Sequence, residues 1–126
     1  MIKINVAEIK KRLVGEKTLA YELSPAELEI TPEELVIDGT VNLEGTMSNA
    51  GDVLLLQAVM TAKVQRTCGR CLKDFTGVAR AEVVEKFYPA SAEHIENDAF
   101  VYDSDVIDIT EPLREGLLLA EPIPGL

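Results

Sequence analysis

Two stretches of this sequence alternate apolar and polar residues with a period of two, over lengths that leave little choice of conformation. Leu35, Ile37, Val41, Leu43 and Met47 fall on one parity, while Asp38, Thr40, Asn42, Glu44 and Thr46 fall on the other. After Ser48-Asn49-Ala50-Gly51-Asp52, which has turn chemistry, Leu54, Leu56, Ala58, Met60, Ala62 and Val64 again share one face. Successive side chains of a strand point to opposite faces, so this pattern specifies two long, half-buried antiparallel strands, the second ending near Arg66.

The flanking sequence fits around that pair. Asn5 and Glu8 have capping-box spacing and Val6, Ile9 and Leu13 recur at helical intervals, which predicts a short amphipathic helix over 6–13 ended by Gly15. Leu19, Tyr21 and Leu23 alternate with Ala20, Glu22 and Ser24 as a strand does. Ser24-Pro25 and Thr31-Pro32 then interrupt any regular element. Between them Leu28 and Ile30 fit either a short edge strand or one helical turn capped by Ser24, and the sequence leaves both open. Thr67 to Cys71 reads as a tight connection, after which Phe75, Ala79, Ala81, Val83 and Phe87 alternate as a third strand, with helix also open for 78–87. Ser91 to Asp98 reads as an exposed loop holding the one histidine, His94. Val101, Val106, Ile107 and Ile109 suggest short extended pieces, and Thr110-Glu111-Pro112 opens a helix with Leu113, Leu117 and Ala120 on one face. The prolines at 122 and 124 turn the end of the chain, 121–126, into an extended tail.

These elements predict one α+β domain over residues 1–126: long antiparallel β-strands forming a twisted sheet or partly closed barrel, with short helices near both ends. Its 126 residues are 47% apolar but only 5% aromatic with no Trp, so the core must be aliphatic and stacking platforms for bases or sugars are scarce. No apolar run reaches the length of a membrane span, and the start lacks the order of a signal peptide, so the expectation is a cytoplasmic protein without a membrane partner.

Charge separates along the chain. A formal net charge of −10 argues against indiscriminate attraction to nucleic acid or anionic membranes, yet residues 89–126 hold nine acidic residues against the single base Arg114. Within 63–80, by contrast, Lys63, Arg66, Arg70, Lys73 and Arg80 face only Asp74. This cationic strip surrounds the one sharp motif, Cys68-Gly69-Arg70-Cys71. A Cys-x-x-Cys turn with Gly at its second position can aim both sulfurs at one ion, but structural zinc takes four ligands. Cys68 and Cys71 therefore form a half-site, to be completed by His94, by a partner or by a longer chain, and zinc is expected only in such a longer chain or complex. A redox role is a second reading, since neighbouring cations favour thiolate, although thioredoxin-like chemistry wants a helix amino terminus that strand-like flanks do not offer. A third leaves two reduced cysteines shaping a turn. A second basic cluster is Lys10, Lys11, Arg12 and Lys17. With one histidine, no glycine-rich phosphate loop and no nucleophile elbow, catalytic residues are expected to be none and no small-molecule substrate is evident. Asp103, Asp105 and Asp108 lack a calcium-loop pattern and read as an acidic strand edge.

Thr67-Cys68-Gly69-Arg70-Cys71-Leu72 followed by Phe75, then Glu85-Lys86-Phe87, an acidic stretch, Ile107 to Glu111, and Glu115 to Pro124 form an ordered set. In this order the sequence resembles the bacterial YceD family, the large ribosomal RNA subunit accumulation proteins. The resemblance implies a non-catalytic cytoplasmic ribosome-biogenesis factor that supports synthesis, processing or stability of large-subunit ribosomal RNA, with that RNA or a ribosomal protein as partner. It places Cys68, Arg70 and Cys71 in the family's central motif, and Lys63, Arg66, Arg70, Lys73 and Arg80 become the expected RNA-binding strip. Family members continue past the proline-rich exit with further cysteine pairs that would complete a zinc site; the sequence here stops at Leu126. The competing reading is a thiol-dependent redox or zinc-binding adaptor built on Cys68 and Cys71.

Overall fold

The computed structural model describes residues 1–12, 15–67, 74–120 and 123–124. In chain order the elements are β1 (Lys3–Asn5), α1 (Ala7–Lys10), β2 (Glu16–Leu23), β3 (Val36–Asn49), β4 (Leu54–Thr67), β5 (Asp74–Pro89), β6 (Phe100–Tyr102), β7 (Val106–Asp108), α2 (Thr110–Leu119) and β8 (Ile123–Pro124). The main sheet runs β2-β3-β4-β5-β6, with β8 beside β5, and β1 pairs with β7 in a separate ribbon. This is the expected α+β class, and of the two architectures left open it is the sheet: β2 and β6 end the strand order without pairing with each other, so no barrel closes.

Alternation explains which face is covered. On β4 the even residues Leu54, Leu56, Met60 and Ala62 are buried, and their ladder partners Phe87, Met47, Leu43 and Ala79 are buried in the same layer. Where β3 pairs with β4 the register shifts between Asp38 and Asn42. The bulge carries two extra residues on β3, an even number, so Ile37 and Val41 keep one parity and the sequence pattern runs through it undisturbed. Gly39, with φ +91°, supplies the left-handed backbone the bulge requires.

The buried face is closed by the chain's two ends. Ile4 of β1 opposes Ile107 of β7, and the amide of Ile2 donates to Thr110 Oγ1 while its carbonyl accepts from the Ile109 amide. On α2, Leu113 and Leu117 are buried at helical spacing, as the sequence predicts, with Pro112 buried beside them; Ala120, expected on the same face, follows the helix as its extended C-cap and is half-buried, and the helix begins at Thr110. Gly116 brings the helix hard against the sheet: a Cβ there would lie 2.8 Å from Val83 Cγ2. A mid-helix glycine costs about 1 kcal/mol against alanine; close packing is what offsets it.

Four expectations are refined. The first helix is shorter than 6–13, spanning Ala7–Lys10, with Leu13 outside the described residues. Of the two readings of the stretch after β2, the edge strand is absent and the turn capped by Ser24 is present, followed by a second turn tied by Thr31 and Glu34. Ser24 and Glu27 exchange backbone-to-side-chain hydrogen bonds, and Thr31 N–H donates to Glu34 Oε1, leaving Leu28, Ile30 and Leu35 buried. Residues 78–87 are strand, not helix. Finally, β6 runs parallel to β5, because 90–99 crosses back before pairing Phe100 with Phe87, whose rings stack at 5.2 Å. The extended end of the chain docks through β8 on Gly77 and Val78.

Candidate functional site at the end of the β4–β5 hairpin

The β4–β5 ladder extends from Leu54–Phe87 to Thr67–Asp74 without interruption. Among the described residues its last pairs, Arg66–Phe75 and Thr67–Asp74, outrun the neighbouring strands, since β3 pairs only as far as Gln65 and β8 only as far as Gly77. The hairpin therefore carries the residues that bracket the cysteine segment beyond the sheet's flanks. Cys68, Arg70, Cys71 and Lys73 themselves lie outside the described residues, and so do the zinc half-site and the redox pair.

Of the expected RNA-binding strip, the structure brings two members together. Lys63 and Arg80 are both exposed on the uncovered face of the sheet, Lys63 opposite Val78 and Arg80 opposite Thr61. They are not equally available. Arg80 Nη1 donates to Glu82 Oε1 at 2.6 Å, a pair in which both side chains are more than half exposed. Lys63 faces Asp38 across the β3 register. Arg66 takes a ladder position of the other parity, in line with Val64.

Charge is distributed lengthwise along β5. The acidic loop with Glu93, Glu96 and Asp98 follows Pro89, at the β6 end, and is tied down by Lys86 Nζ donating to Glu96 at 3.2 Å. From Asp74 to Phe87 an extended strand covers roughly 40 Å, so the cationic and acidic segments occupy opposite ends of one strand. At the acidic end, burial first, then Glu115 and Asp98, push the Glu85 carboxyl above its ordinary value.

His94 also lies at that end. It is exposed in an open groove of about 700 Å³ shared with Gly51, Asp52, Tyr88 and Pro89. It lies beyond the Leu54–Phe87 end of the ladder, whereas Thr67–Asp74, the pair nearest the cysteine segment, closes the other end. Among the described residues no group of three or more His, Cys, Asp or Glu is placed to hold a metal ion.

The other sequence candidates are structural. In the second basic cluster Lys10 Nζ donates to Asp105 Oδ1 at 2.8 Å and lies 5.5 Å from the Tyr102 ring centre. That hydrogen bond raises Lys10 and lowers Asp105 from their ordinary values. Lys17 Nζ donates to the Asn5 carbonyl. Of the three aspartates read as an acidic edge, Asp108 accepts from Thr110 N–H and Oγ1. Burial pushes its carboxyl up, but these hydrogen bonds together with the charges of the amino terminus and Lys3 hold it below its ordinary value. Arg114, the one base of the acidic third, donates to the Glu29 carbonyl and to Glu34, fixing the two-turn segment to α2. Sequence reasoning missed that role; the repeated Ser/Thr-Pro-x-Glu spacing marks its partner segment. Of the adjacent leucines on α2, Leu117 is buried, Leu118 half-buried and Leu119 exposed. No helix is long and apolar enough to cross a membrane among the described residues.

The sequence matches no family model, and neither the curated proteins nor the solved structures yield a similar protein.

Proposed function

We propose that this chain is a non-catalytic ribosome-biogenesis factor that supports accumulation of large-subunit ribosomal RNA, contacting that RNA or a ribosomal protein through the cation-rich end of the β4–β5 hairpin. The observation that carries the reading is the separation of charge along β5. The segment containing Arg66, Arg70 and Lys73 adjoins a ladder end that outruns its neighbours, while the acidic loop is held at the opposite end by Lys86. Phosphate contacts from Lys and Arg supply affinity in RNA binding, and an acidic remainder suppresses indiscriminate association. The resemblance of the Cys-x-Arg-Cys-Leu segment and the proline-ended helix to the YceD family supplies the RNA class.

Binding to a large-subunit RNA fragment, measured across a series of salt concentrations, tests it. With Arg66, Arg70 and Lys73 neutralised, the slope of log K against log salt falls by roughly 0.7 for each phosphate of a single strand that is no longer paired with a cation. An unchanged slope and affinity would remove the hairpin end from the interface.

A further inference from the structure

The edge strand β2 is left open in a way the opposite side of the sheet is not. At the other edge β5 is flanked by β6 and β8. Along β2, among the described residues, no strand pairs with the outer edge and no loop backbone hydrogen-bonds to 16–23. The deterrents to pairing on β2 are confined to its ends. It has no proline, its register with β3 is unbroken from Glu16–Ser48 to Leu23–Val41, and its charges, Glu16, Lys17 and Glu22, flank an uncharged centre, Thr18-Leu19-Ala20-Tyr21. Tyr21 adds a second sign. It shares the parity of the buried Leu19 and Leu23, yet it is 38% exposed, a ring on the core layer that the chain covers only in part.

We propose that β2 pairs antiparallel with β2 of a second copy of this chain, extending the sheet across a two-fold axis through Ala20. The choice of register follows from geometry and charge. A two-fold axis perpendicular to the sheet must set one residue opposite itself, so only same-parity pairs arise. Centring on Leu19 would oppose Glu16 to Glu22 of the second copy, twice, which is destabilising between chains that each carry an excess of ten negative charges. Centring on Thr18 or Tyr21 leaves a shorter ladder within β2. Centring on Ala20 pairs Lys17 with Leu23, Thr18 with Glu22 and Leu19 with Tyr21 of the second copy. No like charges meet, residues 17–23 are all used, and each Tyr21 ring is set beside a Leu19. This inference is independent of the RNA reading, since β2 and the hairpin end lie on different parts of the sheet.

The test is the solution mass of the intact chain by light scattering over a range of concentrations at physiological salt. The expected mass is twice 13.8 kDa. Ala20→Lys and Ala20→Glu, at an exposed position on the uncovered face, each set like charges against each other on the axis and are expected to halve the mass without altering the circular dichroism. Mixing the two variants restores the doubled mass. A parent that stays at 13.8 kDa throughout, or a dimer that survives Ala20→Lys, overturns the proposal. If either variant does not fold, Ala20→Cys in a Cys68→Ser, Cys71→Ser background decides. Directly opposed strand positions lie within disulfide reach, so oxidation is expected to link two chains, and no link overturns the proposal.

Discussion

Two glycines separate two physical causes that a substitution table would merge. Gly116 has ordinary helical backbone and is required for space, its missing Cβ standing 2.8 Å from Val83 Cγ2. Gly39 is the reverse, with φ +91° and nothing within 4 Å of where a Cβ would stand. Gly116→Ala is expected to destabilise by about 1–3 kcal/mol through overpacking, less the helix-propensity gain of about 1 kcal/mol. Adding Val83→Ala recovers part of the steric loss, so the double-mutant cycle by denaturant unfolding has a favourable coupling. Gly39→Ala costs about 1–2 kcal/mol through backbone conformation alone, and no neighbouring substitution repairs it. Glu85 makes a prediction of opposite sign to the usual acidic residue. Its folded pKa is raised by burial and by Glu115 and Asp98, so the folded state binds its proton more tightly than the unfolded one. Glu85 therefore opposes folding at neutral pH, and that penalty disappears as pH falls below the ordinary carboxylate range. Glu85→Gln raises the melting temperature at pH 7, and the gain vanishes in acid; a gain that is the same at every pH would show that the charge is not its cause.

At the level of elements, legibility in the sequence depended on how far apart the partners are. Strands β3 and β4 are legible because burial imposes a period of two, β5 only in part because helix stays open for 78–87, and the bulge in β3 hides nothing because its extra residues number two. The two-turn segment is half legible: Ser24 reads as a cap, but the bonds of Glu27, and of Thr31 with Glu34, carry no apolar period that marks them. The β1–β7 ribbon and the parallel return of β6 left no local trace, since Ile4 meets Ile107 across most of the chain and either partner alone is a short apolar run. The candidate site follows the same rule. The register of β4 on β5 is implicit in the alternation, and so is the ladder position of each of Lys63 and Arg80. The salt bridge of Arg80 to Glu82 was visible as an i, i+2 pair on one strand face. Because both partners are exposed, Arg80→Gln is expected to change stability by about 0–1 kcal/mol. It is also expected to weaken RNA association less than neutralising Arg66, Arg70 and Lys73, a ranking that parallel salt titrations would measure. An Arg80 effect equal to that of the other three would place the interface on the uncovered sheet face instead of at the hairpin end.

Across the whole molecule, the fold brings β1 and α2 together on one face of a sheet and, among the described residues, leaves the other face and the β2 edge uncovered. Thr110 is central to that closure. Its hydroxyl accepts from the Ile2 amide and donates to Asp108, and among the described residues it is the one buried polar residue in the core, 3% exposed. Thr110→Val leaves the Ile2 amide without this partner and is expected to cost about 1–3 kcal/mol, with Thr110→Ser losing much less, by thermal unfolding of the two variants side by side. The functional proposal belongs to the same scale, because it depends on charge being separated along β5 and not on any single residue. Its most direct test is crosslinking of the intact chain to RNA in a bacterial lysate, beside a variant with Arg66, Arg70 and Lys73 neutralised. The proposal predicts that the parent recovers large-subunit precursor RNA and the variant does not. Equal recovery by both, or recovery by neither, would contradict a hairpin-end RNA contact, and the second outcome would direct the search to a protein partner.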